Sequence, residues 1–262
     1  MRFFDTHAHY TDERFSEEYQ GGADALLPEI FASGVEYIVN AATNVKNSAE
    51  VIAQAKKYPG MFAAVGIHPE DCPTLPDIDG ELAALTSLLE NRKENKIVAV
   101  GEIGLDYYWD KDHKELQKEY LDRQLGLAER FSLPAVIHDR EAHGDCFEAI
   151  LRHPKAFGVL HSFSGSAELA LEYVKRGWYI SFSGVVSFKN ARKTREVAAV
   201  VPEDRMLIET DCPYLAPEPN RGKLNRSDYL VYTLSALAEA KQTDKEALGS
   251  VIFENSRRIF GV

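Results

Sequence analysis

The sequence predicts an α/β protein in which one domain, residues 1–262, folds as a (β/α)8 TIM barrel. Three observations support this prediction. The length of 262 residues is typical of a single barrel, eight short segments are apolar, and the stretches between them are long enough for crossover helices. A doubly wound open sheet is the structural alternative. It does not explain why residues capable of catalysis or metal binding would follow so many separate strands.

The eight apolar segments are rich in Val, Ile, Phe or Tyr. Most of them are almost continuously apolar, which is typical of parallel strands that are covered on both faces. The predicted strands are Phe3–Asp5, Tyr37–Ala41, Phe62–Gly66, Ile97–Gly101, Ala135–Ile137, Gly158–Leu160, Tyr179–Phe182 and Met206–Ile208.

Helical periodicity follows several of these strands. A capping box of Thr243 with Glu246 predicts the start of a last helix. The apolar residues that we expect on one helix face are Leu116, Tyr120, Leu127 and Phe131 after the fourth strand, and Leu230, Leu234, Leu237 and Ala238 after the eighth.

The composition excludes several classes of protein. Hydrophobic residues make up 45% and charged residues 27% of the chain, close to the average of folded proteins, so the chain is not disordered. The net charge of −11 argues against a module that grips duplex DNA by neutralising its phosphates. It leaves open an enzyme that holds a phosphate through metal ions, because the ions supply the positive charge.

The cysteines and the apolar runs predict a cellular location. Cys72, Cys146 and Cys212 are too few and too scattered for a disulfide framework and fit a reducing cytosol. The first residues lack the apolar stretch of a secretory signal. No apolar run approaches the roughly twenty residues of a membrane span. We therefore expect a cytoplasmic protein with no membrane partner.

Histidines and carboxylates collect where the predicted strands end. A barrel places its active site at this end of the strands, so the clustering is the most informative feature of the chain. The residues are His7 and His9 after the first strand, His68 after the third, Glu102 after the fourth, His138 after the fifth, His161 after the sixth and Asp211 after the eighth.

The spacing of these residues favours metal binding. His7 and His9 lie two apart on an extended segment, so both side chains point to the same face and suit one metal ion. Glu209 lies two residues before Asp211, and the period of two does not choose between these carboxylates.

Glu102 stands apart because Gly101 and Gly104 flank it and allow close backbone approach. A carboxylate buried there needs cations, and its two oxygens can bridge two of them. Four histidines and two carboxylates exceed the needs of one four-coordinate ion and suit two divalent ions, such as Zn, Mn, Fe, Ni or Mg. Such a pair activates water, so the residues predict a metal-dependent hydrolase without naming its substrate.

Five ordered motifs resemble the TatD family of metal-dependent deoxyribonucleases, which belongs with the amidohydrolase-like TIM barrels. The similarity spans essentially the whole chain. Family members are 3′–5′ exonucleases on DNA, some act on RNA, and most are cytoplasmic. The motifs are Phe-Asp-Thr-His-Ala-His from residue 4, Val-Gly-Ile-His-Pro from residue 65, Val-Gly-Glu-Ile-Gly-Leu-Asp-Tyr from residue 100, His-Ser-Phe-Ser-Gly from residue 161 and Glu-Thr-Asp-Cys-Pro-Tyr-Leu-Ala-Pro from residue 209.

The resemblance implies a division of the six metal ligands. Asp211 would also be the general base, so catalysis would depend on Asp211, Glu102 and His68. The implied ligands are His7, His9 and Asp211 for one ion, His138 and His161 for the other, and Glu102 as the bridge.

The resemblance also implies substrate contacts. His68 and Arg140 would hold the scissile phosphate, and Asn225 in the loop after the eighth strand would bind substrate. In that loop the chain has Arg226 and Ser227 where many members have Glu and Pro, which puts substrate preference in doubt.

The family's Gly-Leu-Asp-Tyr motif extends here into an aromatic run. Asp106 and Tyr107 would lie at the pocket rim. Tyr107, Tyr108 and Trp109 are candidates for stacking on a base, with packing in the core or rim as the alternative.

The predicted function is hydrolysis of phosphodiester bonds in DNA, as a 3′–5′ exodeoxyribonuclease that uses a water activated by two divalent metal ions. The expected substrate is single-stranded DNA or 3′ ends, with no obligate protein partner. The alternative is a metal-dependent amidohydrolase or esterase on the same barrel, including an aminoacyl-tRNA deacylase. A non-catalytic binding protein is the remaining alternative.

Overall fold

The structure, a computed structural model, describes residues 1–262. Its strands are β1 (Phe3–Ala8), β2 (Val35–Ala41), β3 (Met61–Val65), β4 (Ile97–Asp106), β5 (Ala135–Arg140), β6 (Gly158–Leu160), β7 (Tyr179–Phe182) and β8 (Met206–Ile208). They form one sheet in the order β1 to β8. Parallel strands that alternate with helices in this order make a (β/α)8 TIM barrel, so the predicted fold class is confirmed.

Ten α-helices accompany the strands. They are α1 (Arg14–Glu18), α2 (Gly22–Ala32), α3 (Val45–Lys57), α4 (Ile78–Glu90), α5 (Lys114–Phe131), α6 (His143–Arg152), α7 (Ala167–Lys175), α8 (Arg192–Val200), α9 (Leu230–Lys241) and α10 (Lys245–Phe260). None of them combines the length and the apolar character that a membrane crossing requires.

All eight predicted strands are present, and three of them extend further than expected at their C-terminal ends. The extensions of β1, β4 and β5 carry the strands through His7, Glu102 and His138. The strand register shifts at the first two of these residues, between Asp5 and Ala8 in β1 and between Val100 and Ile103 in β4. His68, His161 and Asp211 lie in the segments that follow their strands.

Two details of the predicted helices are wrong. The cap of α10 is Asp244, whose carboxylate accepts the backbone N–H of Ala247 at 2.8 Å, and Thr243 lies outside the helix. The buried face of α5 also differs: of the four residues expected there, only Tyr120 is buried. The predicted face of α9 is buried as expected.

The chain divides into two compact units. Unit 1 consists of Met1–Asn40 and His161–Val262. In this unit β1 pairs with β2 and β7 pairs with β8. A further parallel bridge joins Ala8 to Cys212, so the segment after β8 is attached to the end of β1.

Unit 2 consists of Ala41–Leu160 and holds the pairs β3–β4, β4–β5 and β5–β6. Two glutamines of α5, Gln117 and Gln124, are seven residues apart and fully buried on the same helix face. Gln124 bonds both the N–H and the carbonyl of Ile67, at 2.7 and 3.1 Å. Gln117 bonds the N–H and the carbonyl of Asp106, at 2.9 and 3.2 Å. One helix face therefore fixes the backbone that follows β3 and the end of β4.

Candidate metal centre

Three side chains of unit 1 converge on one point. The Nε2 atoms of His7 and His9 are 2.9 Å apart, and Oδ1 of Asp211 lies 3.7 and 3.5 Å from them. His7 is fully buried, whereas the Asp211 side chain keeps 16% of its surface exposed. Two imidazole nitrogens and a carboxylate oxygen at this separation are a suitable donor set for a divalent ion.

Backbone hydrogen bonds set the geometry of this first set. The N–H of Asp211 donates to the carbonyl of His7 at 2.9 Å, and the N–H of His9 donates to the carbonyl of Cys212 at 2.8 Å. Asp211 has φ of 56°, a left-handed conformation that Asp tolerates better than most residues. The strand that carries the two imidazoles and the turn that carries the carboxylate are thus bonded directly to one another.

A buried carboxylate supports the backbone beneath the first set. Asp5 accepts hydrogen bonds from the N–H and the hydroxyl of Thr210, at 2.9 and 2.5 Å, and from the hydroxyl of Ser227 at 2.6 Å. Burial raises the pKa of Asp5 to about 7. The hydroxyl of Tyr10 lies 2.6 Å from that of Ser227. Ser227, one of the departures from the family pattern, therefore belongs to the scaffold of the site.

His161 joins the first set through its ring. The ring stacks on that of His7, with centroids 4.2 Å apart and planes 24° apart. Its Nδ1 lies 3.2 Å from Oε1 of Glu209, which is fully buried. Because a carboxylate only accepts, this contact places the proton on Nδ1 and leaves Nε2 as the nitrogen available to a metal ion.

The structure distinguishes two carboxylates that the sequence pattern could not, because Asp211 and Glu209 contact different histidines. Asp211 faces the two imidazoles of β1, and Glu209 contacts the ring of His161. Burial alone would raise the pKa of Asp211, but the hydrogen bond with His9 and the nearby His161 and His7 lower it overall. Asp211 is therefore the carboxylate of the ligand cluster, and Glu209 orients a histidine.

A second set lies in unit 2. Oε1 of Glu102 is 2.9 Å from Nδ1 of His138 and 3.4 Å from Nε2 of His68. The two imidazole rings meet edge to face, with centroids 4.6 Å apart. One ligand atom from each residue lies within 4.8 Å of the others, and the same is true of His7, His9 and Asp211. The donor types of both sets fit divalent cations.

A fully buried carboxylate holds His138 from the other side. Oδ2 of Asp106 is 2.9 Å from Nε2 of His138, while Oδ1 accepts the N–H groups of Tyr108 and Trp109 at 2.9 and 2.8 Å. Burial alone would raise the pKa of Asp106, but these bonds lower it, the contact with His138 most of all. The ionised carboxylate keeps a proton on Nε2, so Nδ1 is the nitrogen that faces Glu102. Asp106, expected at the pocket rim, is therefore a buried support of the site.

The hydrogen bonds of His68 indicate a role different from that of His138. The N–H of Glu70 donates to Nδ1 of His68 at 3.2 Å. A neutral imidazole that accepts at Nδ1 carries its proton on Nε2, the atom that points at Glu102. His68 is thus set up as a hydrogen-bond donor, which suits a contact with a phosphate oxygen better than a bond to a metal ion.

The glycines around Glu102 have the steric role that the sequence predicts. A Cβ at Gly101 would lie 2.6 Å from Cβ of Val136, and a Cβ at Gly104 would overlap the carbonyl oxygen of His138. Gly104 also has φ of 153°, which side-chain-bearing residues rarely adopt. Close packing of β4 on β5 brings Glu102 to His138.

The two further residues predicted to contact substrate, Arg140 and Asn225, differ in their exposure to solvent. Arg140 is exposed at the end of β5, two residues after His138. Asn225 is fully buried, and its amide donates to the carbonyls of Thr210 and Tyr214 at 2.8 and 2.6 Å. Its side chain fixes the loop after β8, and the substrate contact expected through Asn225 stays a prediction.

Sequence reasoning left out the supports of the site. Glu209 and Asp106 orient His161 and His138, and two glutamines of α5 hold the backbone. The glutamines carried no usable signal, because polar residues seven apart on an amphipathic helix are expected on its exposed face.

Comparison with known proteins identifies the family. The family model described as TatD related DNase matches residues 4–261. The chain is 39% identical over 262 residues to the uncharacterized metal-dependent hydrolase YabD of Bacillus subtilis, with 99% of each chain covered. It is 35% identical over 263 residues to the uncharacterized metal-dependent hydrolase YjjV of Escherichia coli, which covers 100% of this chain and 98% of that one.

The structural comparison agrees with the sequence comparison. The crystal structure of YjjV, a TatD homologue from Escherichia coli, superposes with a TM-score of 0.91 at 34% identity, and the match covers 100% of this chain and 98% of that one. The chain therefore belongs to the TatD family and is a metal-dependent hydrolase.

Proposed function

We propose that the protein is a deoxyribonuclease that removes nucleotides from the 3′ end of single-stranded DNA with two divalent ions. The observation that supports this best is the pair of side-chain sets, His7 with His9 and Asp211, and Glu102 with His68 and His138. The description of the family model as a DNase supports DNA as the substrate.

The proposed ligands follow from the two sets. In unit 1, His7, His9 and Asp211 would hold one ion, with His161 stacked on His7. In unit 2, Glu102 and His138 would hold the other. When bound, the ions would lower the pKa of a water molecule and stabilise negative charge on the phosphate.

The P–O3′ bond breaks as water adds to phosphorus, and the leaving 3′ oxygen takes a proton from solvent. The side chains of the protein position the phosphate and accept the proton of the water. Asp211 accepts a proton from the attacking water, a role supported by its partial exposure within a buried cluster. The Nε2–H of His68 donates to a non-bridging phosphate oxygen. Arg140 offers its guanidinium to a phosphate, because its planar fork matches two oxygens.

Cleavage of end-labelled DNA tests the proposal. Protein that has been stripped with EDTA and reloaded with Mn²⁺ or Mg²⁺ is incubated with a single strand labelled at its 5′ end, and the products are separated by length. We expect a ladder of shortened 5′-labelled products that EDTA abolishes. A strand labelled at its 3′ end should release labelled mononucleotide first.

Three outcomes would contradict parts of the proposal. Intact DNA together with metal-dependent hydrolysis of a carboxyl ester or amide would favour the amidohydrolase alternative. Release of the 5′ label first would reverse the direction of digestion. Intact DNA and intact esters with every metal would contradict the proposed phosphodiesterase activity itself.

A further inference from the structure

We propose that Tyr108, Trp109 and Arg140 form a nucleotide-binding subsite that stacks one base of a single strand and holds an adjacent phosphate. The inference deepens the proposed function, since it assigns the place where the strand is held. It depends on the exposure of two aromatic rings, on the contacts of one guanidinium and on the rigidity of the turn that carries the rings.

The two aromatic side chains are exposed where aromatic residues are normally buried. Trp109 keeps 63% of its surface exposed and Tyr108 keeps 46%, whereas Trp178, the second tryptophan of the chain, keeps 1%. The rings of Tyr108 and Trp109 meet edge to face, with centroids 4.9 Å apart. An exposed flat surface of this size is costly in water and is suited to stacking on a nucleobase.

A guanidinium lies against both rings. The central carbon of Arg140 is 4.2 Å from the ring centroid of Tyr108 and 5.6 Å from that of Trp109. Arg140 forms no ion pair with a carboxylate, although the chain has 41 acidic and 30 basic residues. Its charge is therefore held in place by the rings and remains available to an anion from outside the chain.

Hydrogen bonds make the turn rigid. The carboxylate of Asp106 accepts the N–H groups of Tyr108 and Trp109, and Gln117 donates to the carbonyl of Asp110 at 3.1 Å. A ring that is already fixed loses little conformational entropy when a ligand binds. Asp106 also contacts His138, so the turn and the metal ligand share one buried support.

These features together select the ligand. Bases in a duplex are stacked on one another, and only an unpaired strand offers a base to an aromatic side chain. Because Arg140 forms no ion pair, the ligand should also carry a negative charge close to the same two rings. An apolar protein segment would use the rings but would leave the guanidinium without a partner.

Binding in EDTA tests the subsite without turnover. The probes are a fluorescein-labelled oligothymidylate and an abasic strand with the same number of phosphates, titrated with full-length protein and followed by fluorescence anisotropy. We expect tighter binding of the oligothymidylate, together with quenching of tryptophan emission. Trp109→Ala should weaken binding of the oligothymidylate about 5- to 100-fold, since stacking on one base contributes about 1–3 kcal/mol, and should leave the abasic strand unchanged.

Further variants separate stacking from charge. Trp109→Phe should restore most of the affinity because it keeps a flat ring. Arg140→Gln should weaken binding of both strands and reduce the slope of log K against log salt concentration by about 0.7, the value for one phosphate contact with a single strand. Leu151→Ala, which removes another exposed apolar side chain of unit 2, is the matched control and should bind like the wild type.

The results would also distinguish this inference from the proposed function. Equal affinity of wild type and Trp109→Ala for the oligothymidylate, with an unchanged circular dichroism spectrum, would overturn the subsite even if the enzyme cleaves DNA. Equal affinity of the wild type for the two strands would overturn base stacking in the same way. Base-dependent binding by a protein that cleaves no DNA with any metal would keep the subsite and contradict the proposed nuclease activity.

Discussion

The two ligand sets are supported by different kinds of buried interaction. In unit 1 the carboxylate of Asp5 lies under His7 among hydroxyl and N–H donors, and burial raises the pKa of Asp5. In unit 2 the carboxylate of Asp106 pairs with His138, and this contact lowers the pKa of Asp106. The support in unit 1 is a carboxylate that accepts hydrogen bonds from neutral hydroxyl and N–H groups. The support in unit 2 is a carboxylate in direct contact with an imidazole.

The comparison shows which atoms each histidine can offer. The contacts of Asp106 with His138 and of Glu209 with His161 each fix one ring proton. His7 and His9 instead face each other, and backbone bonds from Asp211 and to Cys212 set their position. We therefore expect His138 and His161 to be more sensitive to the loss of a supporting charge than His7 and His9.

Glu102→Ala should have the largest effect. Glu102 is the buried carboxylate that contacts both His68 and His138, so its loss leaves two imidazoles without an anion between them. We expect kcat for DNA cleavage to fall by about 10³-fold or more, measured at saturating Mn²⁺. Glu115→Ala removes a carboxylate that is almost fully exposed and should behave like the wild type. A fully active Glu102→Ala variant would refute a role of Glu102 in the site.

The next largest effects should come from the carboxylates that orient histidines. Asp106→Asn and Glu209→Gln keep the side-chain shape and remove the charge that holds a ring proton. Each should lower metal affinity about 10- to 100-fold, measured by competition with a fluorescent chelator. Unchanged affinity in both variants would show that these contacts do not support metal binding.

Asn225→Ala should affect the free energy of unfolding more than it affects catalysis. The substitution leaves the carbonyls of Thr210 and Tyr214 without their donor, the first of them buried, at a cost of about 1–3 kcal/mol in the free energy of unfolding. Urea denaturation measures this loss. Asn91→Ala, which removes an exposed amide bonded to the carbonyl of Ser87, is the matched control. A raised KM with unchanged stability would support the substrate contact expected from the sequence.

The smallest effect concerns acid stability near the aromatic turn. Hydrogen bonds from Tyr107 and Lys118 lower the pKa of Asp145. Because the folded pKa lies below the unfolded value of about 3.9, this interaction adds stability above that pH and loses it as the pH falls through the folded pKa. The Tm of Asp145→Asn should therefore lie slightly below that of the wild type at pH 6 and approach it below pH 4. A constant difference across this range would contradict the assignment.

Much of the fold could be predicted from the sequence because parallel strands covered on both faces are almost continuously apolar. The eight runs located every strand, and the histidines at or after the strand ends marked the candidate site. The apolar face of α5 was misplaced because Gln117 and Gln124 are polar yet buried. A rule that places apolar residues inside cannot find glutamines that bond backbone groups.

The supports of the site could not be derived from residue spacing. A period of two puts Glu209 and Asp211 on one face, but the positive φ of Asp211 breaks the alternation. Asn225 has the residue type of a substrate contact, and only the path of the loop shows that its amide is already used. The direction of a side chain in a turn depends on tertiary contacts that the local pattern does not contain.

The number of divalent ions bound per chain tests the central claim most directly. Full-length protein is saturated with Mn²⁺ or Zn²⁺, desalted and measured by inductively coupled plasma mass spectrometry, with Glu102→Ala in parallel. We expect two ions per wild-type chain and about one per Glu102→Ala chain. A wild-type chain that retains no ion, or two ions retained in full by Glu102→Ala, would contradict a pair of cations held by these two ligand sets.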